Sequence, residues 1–167
     1  MTPVTTIAAW RSRLPRGETL PPENWTKRHR ALTAIAWAHV PALLLFGLVV
    51  GKPLDDTLME LMPVAVFAWL AGRGQLTRNQ RAAAVCFSLL TSSAVLVQLW
   101  DGQIEAHFHF FVMVTLLATY EQWFPYLLAF LYVLVHHGAM GLLASNSVYS
   151  HAAGQHHPWQ WAAVHAL

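Results

Sequence analysis

The chain has 167 residues, of which 56% are hydrophobic and 11% charged, with a formal net charge of +2 and a mean hydropathy of +0.40. Soluble domains carry about 25% charged residues, so this composition excludes an ordinary soluble domain and reads as an integral membrane protein. The small net charge gives no reason to expect nucleic-acid binding, and the single cysteine, Cys86, excludes an intrachain disulfide and argues against a thiolate metal site.

Residues 1–30 are polar and basic and form an expected cytoplasmic arm, partly interfacial around Trp25 to Arg30. Residues 31–167 then read as one membrane bundle. Its apolar runs are 31–50, 57–71, 82–100, 104–119, 124–144 and 158 to the end, against the roughly 20 residues a spanning helix needs. The first, third and fifth are long enough. The second is short and holds Glu60 and Pro63, and the fourth opens on Glu105 and two histidines. The sixth begins at Pro158, a favoured first-turn residue, and reaches only about 15 Å at 1.5 Å per residue, so the native helix is expected to continue. The expected fold is all-α, a polytopic bundle of about six transmembrane helices with the last one cut short.

Lysine and arginine orient the bundle, because short basic loops stay cytoplasmic. Arg11, Arg13, Arg16, Lys27, Arg28 and Arg30 precede the first helix and Arg73, Arg78 and Arg81 separate the second and third, whereas Lys52 alone lies on the opposite side. The N-terminus is therefore expected in the cytoplasm, in a multi-pass protein of a bacterial inner membrane.

Six histidines fall inside the apolar runs: His39, His107, His109, His136, His137 and His165. With this topology His39 lies about 16 Å below the outer end of its helix, His107 and His109 about 5 to 8 Å, and the other three about 10 to 12 Å. Four helices thus offer imidazole to one layer in the outer half. Polar groups at that depth face a bundle interior and need partners. His107 and His109 diverge by about 200° and His136 and His137 by about 100°, so the six cannot share one ion. The expected first ligands are His39, one or both of His136 and His137, and His165, completed by His107 or by the Glu105 and His109 pair, with the rest orienting the ligands. Imidazole with one carboxylate suits copper, iron or zinc, and nickel also accepts such donors; the centre is mononuclear or dinuclear. Haem b is the rival cofactor, held by two histidines, with Gly47, Gly138 and Gly141 allowing a porphyrin close to the backbone. Interhelical hydrogen bonding is the structural alternative for any single histidine. His151, His156 and His157 in the outer loop read as a solvated surface, with feeding or loose binding of metal as the alternative. Thr91, Ser92 and Ser93 read as close helix packing or interhelical hydrogen bonding, and Pro41 as a kink that helps aim His39.

The segments Glu105-Ala-His-Phe-His-Phe-Phe111, Tyr120-Glu-Gln-Trp-Phe-Pro125, Tyr132-Val-Leu-Val-His-His-Gly138 and Pro158-Trp-Gln-Trp-Ala-Ala-Val-His165 carry a resemblance. Over residues 30–167 the chain resembles the multi-helix membrane sensor regions that precede GGDEF and EAL, methyl-accepting or histidine kinase domains in bacterial signalling proteins. The resemblance implies a sensory role, a cytoplasmic output domain beyond the sixth helix, and a homodimer embedded in membrane lipid. The expected input is a small ligand such as oxygen or nitric oxide, a redox-active molecule, or the metal itself. These residues contain no signalling enzyme domain, so no catalytic residue is assigned. Three other classes remain: a histidine-metal oxidase, against which the His-x-x-His-His boxes of membrane desaturases are missing; a transporter, whose path would stop short of the inner face except at Glu121; and a metal-free sensor of external pH.

Overall fold

The computed structural model describes Gly17, residues 20–149 and residues 152–166. Helix α1 spans Pro22–Val49, α2 Leu54–Ala71, α3 Arg78–Leu99, α4 Ile104–Ala118 and α5 Trp123–Leu143, followed by two short helices, α6 Ser145–Val148 and α7 Ala152–His156, and by α8 Pro158–Ala166. All regular structure among the described residues is helical. Among the described residues three helices, α1, α3 and α5, are long and apolar enough to cross a membrane. Helix α4 is apolar but only 15 residues long, and α2 carries Asp55, Asp56 and Glu60 in its 18 residues.

Helix α3 is the centre of the bundle. Its apolar window is 72% buried inside the protein, against 22% for α1 and 28% for α5, and the difference follows from its small residues. Ala82, Ala84, Ser88, Ser92 and Ser93 are all buried and let neighbouring backbones approach, as small residues do in membrane bundles. Ser88 donates across to the Val64 carbonyl of α2 at 2.9 Å. The start of α3 is set by a capping box, in which Thr77 Oγ1 accepts from Gln80 N at 3.3 Å and Gln80 Oε1 accepts from Thr77 N at 2.9 Å.

The ends of the bundle are tied separately. At one, Lys52 pairs with Asp101 at 2.7 Å, joining the α1–α2 and α3–α4 turns; Asp101 and Gly102 there adopt φ of 51° and 73°. At the other, Arg28 bonds Glu121 at 2.7 Å and the Thr119 carbonyl. There His29 Nδ1 meets Tyr120 Oη at 2.7 Å and His29 Nε2 meets the Ala71 carbonyl at 2.9 Å. Trp25 stacks on His29 at 4.6 Å and 8°. Burial pushes the Tyr120 phenol well above its ordinary range, so it stays a neutral hydroxyl.

That second end departs from the sequence reading. Helix α1 begins at Pro22, nine residues before the expected Ala31, because Trp25 and His29 are 4% and 1% exposed and are claimed by tertiary contacts rather than by a polar arm. The expected arm over residues 1–16, with 18 and 19, lies outside the described residues. The expected outer loop is largely helical in α6 and α7, with Tyr149 buried between them; His151 lies outside the described residues, while His156 and His157 are exposed.

Candidate metal centre

The short helix α8 lies along α5 because α5 offers it two glycines. A Cβ on Gly138 would stand 2.2 Å from the Trp159 ring, and one on Gly141 would stand 2.5 Å from Pro158 Cβ and 2.9 Å from the Tyr149 ring. These contacts bring α8 close enough for His165 to meet the histidines of α4 and α5. The ring centroids of His107 and His165 are 5.1 Å apart, those of His137 and His165 5.1 Å, and those of His107 and His137 5.4 Å. Three helices each supply one corner of a nearly equilateral triangle.

Each corner is held the same way. Nδ1 of His107 bonds the Gln103 carbonyl at 3.0 Å, Nδ1 of His137 the Val133 carbonyl at 3.0 Å, and Nδ1 of His165 the Trp161 carbonyl at 2.8 Å. A carbonyl only accepts, so each ring carries its proton on Nδ1 and keeps a lone pair on Nε2. This is the tautomer that ligating histidines adopt when a backbone carbonyl orients them. Nε2 of His137 is buried with no hydrogen-bond partner.

Tyr149 closes the triangle. Its ring centroid lies 6.4 Å from His107 in a near-parallel stack, 6.3 Å from His137 and 6.0 Å from His165. Its hydroxyl reaches the Pro158 carbonyl at 3.3 Å and the His137 carbonyl at 3.5 Å, and burial pushes its phenol up to about 12. Phe110 packs edge-on to His137 at 5.0 Å. A cleft of 220 Å³ between α4 and α5, lined by Phe111, Val114, Phe130 and Val133, ends at His165. As the rings stand, no group of three His, Cys, Asp or Glu among the described residues is arranged to hold a metal ion.

The other sequence-selected residues go elsewhere. His136 stacks on Tyr132 at 5.6 Å and 6°, touches His137 edge-on at 5.4 Å, and has a buried Nδ1 with no hydrogen-bond partner. His39 and His109 pair with each other, Nε2 to Nε2 at 3.1 Å, on the α1 and α3 side of α4. His39 Nδ1 bonds the Ile35 carbonyl at 2.7 Å and His109 Nδ1 bonds Ser93 Oγ at 2.8 Å. Glu105 is exposed, one turn from His109. The six histidines thus divide into two groups on two faces of α4, as the angular divergence of His107 and His109 requires. The glycines expected to admit a porphyrin are occupied by the chain itself: Gly47 faces Thr57, with a Cβ placed 2.7 Å from its methyl, and Gly138 and Gly141 face α8.

Sequence reasoning passed over Tyr149. Tyr149 is a lone aromatic in a polar loop segment, a signal that a core contact could be made there. Ser93 was grouped with Thr91 and Ser92 as helix packing or interhelical hydrogen bonding, and its contact with His109 is of the second kind. Thr91 and Ser92 fit that reading, since Thr91 meets Tyr132 Oη at 3.1 Å and Ser92 bonds the Leu89 carbonyl at 2.6 Å.

Over 163 aligned residues the chain is 38% identical to the transducer protein Htr8 of Halobacterium salinarum (strain ATCC 29341 / DSM 671 / R1), an alignment that covers 90% of this chain and 25% of that protein. The chain thus spans about a quarter of the length of the curated relative it matches. No family model and no solved structure matches it.

Proposed function

We propose that this chain is the membrane-embedded sensory region of a signal transducer, in which His107, His137 and His165 hold one transition-metal ion through their Nε2 atoms. The observation that carries the reading is the triangle of imidazoles with every Nδ1 tied to a carbonyl of its own helix. With metal–nitrogen bonds of about 2.0–2.1 Å and ring centres about 1.1 Å behind the nitrogens, three imidazoles on a tetrahedral ion have centroids about 5.2 Å apart. The centroid spacings here are 5.1, 5.1 and 5.4 Å, while the His165 ring stacks on those of His107 and His137 at 29° and 23°, so closing the site needs the rings to turn out of their stack. Three neutral imidazoles suit copper, iron or zinc, and such an ion supplies an open position for a ligand or a change of charge.

The similarity to a transducer protein supports the sensory role. His165 is the only corner on α8, so a change of coordination or charge at the triangle biases how α8 sits against α4 and α5, the differential interaction that a signal requires. Six crossings with the N-terminus in the cytoplasm, read from the basic residues, put the triangle in the outer half of the bilayer and aim α8 inward. In a longer protein the residues following α8 would lead to a cytoplasmic output domain. The input is a small ligand, a redox partner or the metal itself.

The test is elemental analysis with an absorption spectrum of detergent-purified protein prepared without chelators. The reading expects copper, iron or zinc in stoichiometric amount, with one equivalent lost in His107→Ala, His137→Ala or His165→Ala. A Soret band would replace it with a haem b sensor, and neither signal would leave the triangle as helix packing.

A further inference from the structure

On the opposite face of α4 the donors and acceptors leave a pair of lone pairs in conflict. Ile35 O can only accept, so His39 carries its proton on Nδ1 and its Nε2 is an acceptor. Ser93 Oγ donates to the Leu89 carbonyl at 3.2 Å, so in its contact with His109 Nδ1 at 2.8 Å the imidazole is the donor. His109 then also presents Nε2 as an acceptor. The two Nε2 atoms face each other across 3.1 Å, and only a shared cation or a reversal of the Ser93 bond reconciles them.

We propose that His39 and His109 form a second metal site, separate from the triangle, that binds a copper ion. Two imidazole nitrogens on one tetrahedral ion, with bonds of about 2.0–2.1 Å, stand about 3.3 Å apart, close to the observed 3.1 Å. The ring centroids, 5.1 Å apart and 73° between planes, match the spacing of the triangle. Both rings are oriented from behind, one by a carbonyl and one by a serine hydroxyl, as in known metal sites. Copper is favoured because its divalent form tops the affinity order for nitrogen donors, and the bent spacing of the two nitrogens leaves the ion's remaining positions to small exogenous ligands. The site bridges α1 to α4, while a groove of 580 Å³ separates those helices further along, between Ala31, Leu32 and Ile35 on one side and Thr115 and Leu116 on the other. A copper ion at the pair ties together two helices that the groove separates further along.

The test is titration of the full chain in detergent with divalent copper against a competing chelator, with total metal counted in parallel. Wild type is expected to hold two equivalents, His39→Ala and His109→Ala one each, and Ser93→Ala, which keeps both imidazoles, two equivalents at about 10–100-fold weaker affinity for one of them. Unchanged stoichiometry and affinity in all three variants would overturn the site and leave the pair as a hydrogen bond or shared proton. Should the triangle variants lose nothing while His39→Ala loses one ion, this site stands and the triangle reading fails.

Discussion

A methyl group on Gly138 is the sharpest perturbation the structure offers, because it acts on the docking of α8 without touching a histidine. The added Cβ would lie 2.2, 2.3 and 2.6 Å from three atoms of the Trp159 ring, where ordinary contact begins at 3.4 Å. The ring must retreat by about 1.2 Å, and Pro158 beside it is already seated on Gly141. Trp159 is half exposed, so part of the strain can be relieved by its side chain; overpacking of this kind costs about 1–3 kcal/mol. Ligand distances in metal sites tolerate about 0.2 Å. Displacing the start of α8 by several times that amount takes His165 out of reach. Gly138→Ala is therefore expected to weaken metal binding by more than about 100-fold, beyond the loss of an orienting partner alone, and to lower the unfolding temperature. Metal titration with a competing chelator and thermal unfolding in detergent measure the two effects. Gly74→Ala, where an added Cβ meets nothing within 4 Å, is the control and should match wild type. A Gly138→Ala protein with wild-type affinity and melting temperature would refute the view that α8 packing positions the third histidine.

Other variants probe other joints. Tyr149→Phe keeps the ring that covers the triangle and loses the long hydroxyl contacts to the His137 and Pro158 carbonyls, so its chelator-stripping rate should stay near wild type, whereas Tyr149→Ala should release metal several-fold faster. Tyr120→Phe leaves His29 Nδ1 without its partner in a buried site, at a cost of about 1–3 kcal/mol; unfolding at lower temperature with unchanged metal content is the expected outcome. Gly47→Ala drives a methyl to within 2.7 Å of Thr57 and should destabilise the α1–α2 junction by about 1–3 kcal/mol, again seen by thermal unfolding.

Helix positions were legible wherever an apolar run was long, and α3, α4 and α5 begin and end within four residues of the expected bounds. The start of α1 was not legible, because Trp25 and His29 sit in a polar, basic stretch and are buried by Tyr120 and Ala71, partners distant in sequence. That histidines of different helices meet at one level of the bundle followed from rise per residue together with the alternating direction of the helices. That His107 and His109 serve different faces followed from their spacing. Which histidines join them did not, since that depends on α8 lying on Gly138 and Gly141, two residues that the sequence offered equally to a porphyrin. Ser93 and Tyr149 acquire their roles only through the helices packed on them.

X-ray absorption at the metal edge of the His39→Ala protein, which retains the triangle alone, tests the central claim most directly. The account predicts one bound ion with a nitrogen shell at about 2.0–2.1 Å and the outer-shell scattering of imidazole rings, both abolished when His137→Ala is added. Metal-free protein, a shell without imidazole, or a signal that survives the added substitution would contradict it.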